Sequence, residues 1–214
     1  MTTISRRNFL KFTGITLGSA TLLCSGLGYA ATRAPHVDTP SLQFGEGNPS
    51  NKRVLVNYAT RAGSTVEVAA AIAETIAGLG FNVDLRPAKD KPPVAGYRAV
   101  VTGSAIRMGH WLPEAVDFIK NNQEIFRSMP VVLYTVHLRN LGNDEESRAN
   151  RLAYLDDVRQ LITVKEAAFF PGKLDLARLS LLDRWITDAI EGKEQDLRDW
   201  PAMRAWAASL ESLL

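Results

Sequence analysis

Thr60, Ser64 and Thr65 bring three hydroxyl groups, and Gly63 a backbone without a side chain, into one short turn of the chain. That combination suits an anion. Each hydroxyl donates a hydrogen bond, glycine lets the backbone approach closely, and the first N–H groups of a following helix point back at the loop. The full stretch is Asn57-Tyr58-Ala59-Thr60-Arg61-Ala62-Gly63-Ser64-Thr65, in which Arg61 offers a compensating charge. A nucleoside triphosphate loop would end in Gly-Lys-Ser/Thr and a dinucleotide loop would carry three spaced glycines, and neither pattern is present. One glycine among hydroxyls fits a single terminal phosphate monoester, neutralised by hydrogen bonds and the helix dipole. The same residues also read as an ordinary strand-to-helix turn in which Ser64 or Thr65 caps the helix.

The elements around this turn alternate. Val54-Leu55-Val56 marks a strand over Arg53 to Tyr58, and Val68, Ile72, Ile76 and Leu79 fall on one face of the helix that begins near Val66. Phe81, Val83 and Leu85 alternate as a second strand, and Ala99-Val100-Val101-Thr102-Gly103 is a third, apolar enough to be buried on both faces. Leu112-Pro113-Glu114 opens a helix with apolar Leu112, Ala115, Val116 and Ile119. A fourth strand covers Val131 to Val136, one helix is expected from about Glu145 to Ile162, and Ala167-Ala168-Phe169-Phe170 forms a fifth strand ended by Pro171-Gly172.

Five strands alternating with helices specify an α/β fold with an open, five-stranded parallel sheet and helices on both faces. Ligands of such sheets sit beyond the carboxyl ends of the strands, where strand order reverses. With order 2-1-3-4-5, the reversal brings Thr60 to Thr65 beside a loop of Gly103-Ser104-Ala105-Ile106-Arg107-Met108-Gly109-His110, and the loop from His137 through Leu138 to Asn143 beside that.

In these residues the chain resembles the flavodoxin-like FMN proteins. Tyr58 to Thr65 is similar to their phosphate loop, and Gly103 to His110 followed by Trp111-Leu112-Pro113 resembles the second flavin loop of the menaquinone-dependent protoporphyrinogen dehydrogenase branch. The resemblance runs from about Lys52 to the C-terminus. It implies that Thr60, Arg61, Ala62, Gly63, Ser64 and Thr65 hold the FMN phosphate. It further implies that Ser104, Ala105, Ile106, Arg107, Gly109 and His110, with His137 and Leu138, line the isoalloxazine ring. Arg107 would stabilise the negative charge of reduced flavin or be a surface arginine, and His110 would position a substrate or proton or simply pack at the helix entry. His137 and Arg139 carry the same two readings. No residue compels a proton-transfer role, and no metal site is expected. One departure is the short acidic stretch Asn140-Leu141-Gly142-Asn143-Asp144-Glu145-Glu146, where that branch carries a longer basic insertion; it implies a different substrate.

The first thirty residues bear on location. Ser5-Arg6-Arg7-Asn8-Phe9-Leu10-Lys11 precedes an apolar stretch from Phe12 to about Tyr29, with Gly28-Tyr29-Ala30 as a cleavage candidate, and resembles a twin-arginine signal. Leu22 and Leu23 replace the small residues a lipidation site at Cys24 would need. Uncleaved, the segment approaches the length of a membrane anchor. The chain has 25 Lys and Arg against 23 Asp and Glu, and without Arg6, Arg7 and Lys11 the balance is 22 against 23, so no basic patch argues for nucleic acid. Removal of Cys24 leaves no cysteine for an oxidising compartment to pair. Residues 31–51, with Pro35, Pro40, Gly45, Gly47 and Pro49, read as a linker to a domain at 52–214.

These features support an exported FMN-dependent oxidoreductase passing electrons between a small substrate and a quinone or other membrane-linked acceptor, at the periplasm or the outer face of the cytoplasmic membrane. Twin-arginine export moves folded proteins, so FMN would be loaded before export. The apolar spacing Leu176-Leu179-Leu182-Trp185-Ile186-Ala189-Ile190 fits a helix packed on the sheet or a surface facing membrane or quinone. Two alternatives remain: a periplasmic electron carrier with an acidic docking face at Asp144-Glu145-Glu146 and Asp156-Asp157, and a flavin-free assembly factor.

Overall fold

A computed structural model describes residues 36–48, 52–189 and 193–214. The twin-arginine-like segment lies outside the described residues. The chain divides into two units, one of residues 37–175 and 194–214 and one of residues 1–36 and 176–193.

The larger unit carries the sheet. In chain order it comprises β1 (Leu42–Phe44), β2 (Arg53–Ala59), α1 (Ser64–Gly78), β3 (Asn82–Pro87), β4 (Ala99–Arg107), β5 (His110–Trp111), α2 (Pro113–Asn121) and α3 (Gln123–Phe126). There follow β6 (Val131–His137), α4 (Glu145–Ala153), α5 (Asp156–Arg159), β7 (Glu166–Pro171) and β8 (Lys173–Leu174). In the smaller unit, α6 (Leu181–Ala189) intervenes before β9 (Gln195–Asp196) and α7 (Trp200–Ser209) complete the larger one.

Strand order is β1-β3-β2-β4-β6-β7, parallel throughout except for β1, so the five core strands stand in the expected order 2-1-3-4-5. The period-two alternation of each strand divides the core. Val54, Val56 and Tyr58 join Val101, Tyr134 and Phe170 under α1 and α7, which contribute Val68, Ile72, Ile76, Met203 and Ala207. Leu55 and Ala59 face the other way, with Val100 and Leu133, under α2, α3 and α5, which contribute Ala115, Phe118, Ile119, Phe126 and Val158.

Gly103 is in a central strand for a steric reason. It lies in register between Tyr58 and Tyr134, and the Tyr134 ring crosses over it so closely that a β-carbon would stand 2.2 Å from the ring. The crossing lets the Tyr134 hydroxyl donate to the Asn57 carbonyl at 3.0 Å, tying β6 to β2 across β4.

Three sequence expectations change. Part of the presumed linker is β1, an antiparallel edge strand registered Leu42 to Leu85 and held by Gln43 Nε2 donating to Asp84 Oδ1 at 2.8 Å. The helix expected over Glu145–Ile162 is two, α4 and α5. Tyr154 and Leu155 turn inward at the break, while Leu152 is 44% exposed. The loop expected after Gly103 is regular: β4 continues to Arg107, and β5 returns antiparallel, pairing Ile106 with Trp111 and Arg107 with His110. Met108 and Gly109 both have positive φ, 52° and 85°, the backbone of a tight two-residue hairpin turn.

Candidate functional site

The parallel register sets Ala59, Ser104, Thr135 and Phe169 side by side, so the segments that follow them emerge along one edge of the sheet. The phosphate-loop candidate is the first. Gly63 is the residue before α1, in the left-handed region at φ 89°, and no side chain caps the helix, so neither Ser64 nor Thr65 is its cap. The Thr60 hydroxyl turns inward to accept from the Gly63 N–H at 2.9 Å and shapes the loop. Ser64 Oγ accepts from the Lys173 N–H at 3.1 Å, so its own proton is left for an outside acceptor. Thr65 is only 1% exposed and its hydroxyl makes no hydrogen bond among the described residues. With the unpaired N–H groups of a helix start, this is a donor set of the kind a phosphate monoester completes. Ala62 lines the loop half-buried. Arg61 leaves it and forms a two-pronged ion pair with Glu114 in the first turn of α2, the second contact being 2.9 Å.

The second segment is the β4–β5 hairpin. Ser104 is buried; its hydroxyl accepts from the Leu112 N–H at 2.9 Å, fixing the start of α2, and donates to the Ala105 carbonyl at 2.8 Å. Ala105 and Ile106 are half-buried, and Arg107, Gly109 and His110 are exposed at the hairpin tip. His110 Nδ1 stands 3.0 Å from Asp157 Oδ2 at the start of α5. Trp111 is buried and its indole N–H donates to Thr135 Oγ1 at 3.0 Å, pinning the hairpin to β6.

The third segment starts at His137, whose ring does not turn outward. It is buried between Tyr154 and Phe169, with Nδ1 2.7 Å from the Arg139 carbonyl. Burial lowers its pKa below the ordinary imidazole value, with the bond to the Arg139 carbonyl opposing. Half-buried Leu138 and exposed Arg139 follow it, and Asn140 at φ 58° donates to the Tyr154 hydroxyl at 2.7 Å while Arg151 donates to the Asn140 and Gly142 carbonyls. The short acidic loop is therefore tied down.

A fourth segment was not legible in sequence. The turn after β7 carries Gly172, whose N–H donates to the His137 carbonyl at 2.8 Å, and Lys173, which reaches Ser64. Pro171-Gly172 signals a turn; its position depends on β7 being next to β6. Among the described residues no three His, Cys, Asp or Glu side chains are grouped to hold a metal.

Comparison with known proteins agrees with this geometry. Residues 55–199 match the family model described as a flavodoxin domain. The chain is 32% identical over 175 residues to the protoporphyrinogen IX dehydrogenase [quinone] of Escherichia coli strain K12, covering 75% of this chain and 96% of that protein. The protein of that name from Escherichia coli O157:H7 gives the same figures. Among solved structures, oxidised flavodoxin 1 from Bacillus cereus superposes with a TM-score of 0.50 at 13% identity, over 76% of this chain and 99% of that one, a likeness of fold. A phosphate cradle of hydroxyl and N–H donors after the first parallel strand, a hairpin at the reversal of strand order and a family match over more than half the chain lead to one conclusion: the chain belongs to the flavodoxin family, and its cofactor is FMN.

Proposed function

We propose that this flavoprotein is an oxidoreductase that passes electrons between a small substrate and a quinone or other membrane-linked acceptor outside the cytoplasmic membrane. The observation that carries the reading is the pairing of a phosphate cradle at Gly63–Thr65 with an exposed hairpin tip, Arg107 to His110, on the same sheet edge. Bound FMN supplies hydride and single-electron chemistry; the protein supplies orientation and electrostatics. Ser64 and Thr65 hold the phosphate, and the Ser104–Ile106 backbone lines the ring. Arg107 offers positive charge where reduced flavin carries negative charge. Asp157 holds His110 by Nδ1, so Nε2 is the nitrogen left to exchange a proton with a substrate.

The acceptor class comes from the quinone in the name of the Escherichia coli relative. Its protoporphyrinogen is not carried over, because the Ser5-Arg6-Arg7-Asn8-Phe9-Leu10-Lys11 pattern directs this chain out of the compartment where haem precursors are made. On α6, Leu181 and Trp185 are 61% and 75% exposed and stand one helical turn apart, which suits a surface facing membrane or quinone. Among the described residues no helix is long and apolar enough to cross a membrane.

The test is to purify the chain, identify the released cofactor by mass spectrometry and measure steady-state reduction of menaquinone and ubiquinone analogues. Stoichiometric FMN with quinone turnover supports the proposal. FMN without turnover favours the second reading, an electron carrier, for which the exposed acids Asp144, Glu145, Glu146, Asp156 and Asp157 supply a docking face.

A further inference from the structure

Arg198 lies 131 positions from Glu67 in sequence, yet its Nη1 is 2.5 Å from Glu67 Oε2. The same guanidinium grips Asp196 with two further bonds, Nε to Oδ1 at 2.7 Å and Nη2 to Oδ2 at 2.5 Å, and stacks on the Trp200 ring at 4.6 Å. Its side chain is 7% exposed, which is rare for arginine and sustained only by full pairing. Asp196 belongs to β9 and pairs in register with Lys173 of β8. The Lys173 N–H is the group that hydrogen-bonds Ser64. The Leu197 N–H adds a bond to the Gly172 carbonyl at 3.1 Å. The contacts close a ring: Ser64, Lys173, Asp196, Arg198, Glu67, and back to Ser64 through the first turn of α1, where residues three apart share a face.

Two consequences converge on the phosphate. The ring biases which way the Ser64 hydroxyl donates, because one of its lone pairs is held by the Lys173 N–H. Glu67 also places a negative charge one turn from the phosphate cradle, and Arg198, shared with Asp196, offsets part of it. We propose that Arg198 is a positioning residue for the cofactor phosphate, acting through Glu67 and through the β8–β9 ribbon that orients Ser64. This rests on the FMN reading of the cradle.

The test compares FMN with riboflavin, which lacks only the phosphate, by flavin-fluorescence titration of the apoprotein. Arg198→Gln weakens FMN binding by about tenfold or more and leaves riboflavin unchanged. Arg198→Lys, which keeps the charge but not the fork, falls between. Adding Glu67→Gln to Arg198→Gln recovers part of the loss, since the carboxylate nearer the phosphate is gone and only Asp196 is left without its cation. An Arg198 variant with a native circular dichroism spectrum and an unchanged ratio of FMN to riboflavin affinity overturns the proposal and leaves the ring a brace. Should Arg198→Gln not fold, Arg198→Lys decides by the same ratio. Wild-type protein that binds FMN no more tightly than riboflavin defeats the cradle itself, and the proposal with it.

Discussion

The Lys173 backbone N–H and the Ser64 hydroxyl meet at 3.1 Å across 109 positions of sequence, joining the segment that follows the last parallel strand to the first turn of the first helix. Ser64 thereby keeps its own proton for a ligand, and Thr65 beside it is a buried residue whose hydroxyl makes no hydrogen bond among the described residues. The cradle is polarised for an anion before any arrives.

Thr65→Val keeps the volume of the side chain and removes the hydroxyl. We expect FMN affinity to fall by about 1–3 kcal/mol, with riboflavin little affected. Fluorescence titration measures both, and unchanged FMN affinity would remove Thr65 from the phosphate site.

Gly103→Ala forces a methyl group against the Tyr134 ring and the bond to the Asn57 carbonyl behind it. Overpacking of this kind costs about 1–3 kcal/mol or more, read as a lower denaturation midpoint with an unchanged slope. Wild-type stability in the variant would mean that Tyr134 is free to move aside.

His137 makes stability depend on pH. Its folded-state pKa is depressed by burial, so the unfolded chain binds a proton that the folded protein resists. This contribution is complete above about pH 6.5 and is lost as pH falls from there through the folded value. Urea midpoints between about pH 7.5 and 5.5 should decline in the wild type and decline less in His137→Phe, which retains an aromatic ring between Tyr154 and Phe169.

Asp84 anchors the edge strand. Burial pushes its carboxyl up, but donors from Gln43, Arg53 and Tyr97 outweigh it and the net pKa is lowered. Its stabilisation is therefore present above about pH 3.9 and lost as pH falls through the folded value. Asp84→Asn should cost roughly 1–3 kcal/mol and speed proteolysis within residues 36–48, because β1 loses its side-chain anchor while the parallel core remains. Equal cleavage rates would show that the backbone ladder alone holds β1.

Some of this molecule was legible from local pattern. The run Val54-Leu55-Val56 marked a strand, Ala99-Val100-Val101 a strand buried on both faces, and the Thr60–Thr65 hydroxyls around Gly63 pointed to an anion. The β4–β5 hairpin was not visible, because its turn places Met108 in a left-handed conformation that side chains other than glycine, asparagine and aspartate seldom adopt. The break between α4 and α5 was hidden by apolar spacing that suits one helix, while Tyr154 is drawn inward to hold Asn140.

Periodicity is a local property, and it was enough for the alternating strands and helices of a parallel sheet, whereas the strand order is a property of the tertiary structure. Side-chain partnership is not local. Arg61 could serve a phosphate or Glu114, and His137 a flavin or a core; a cation or an imidazole takes whichever partner the strand register brings within about 3 Å. The same holds for Lys173, Arg198 and Glu67, whose roles exist only because β7 lies beside β6 and the β8–β9 ribbon returns to α1.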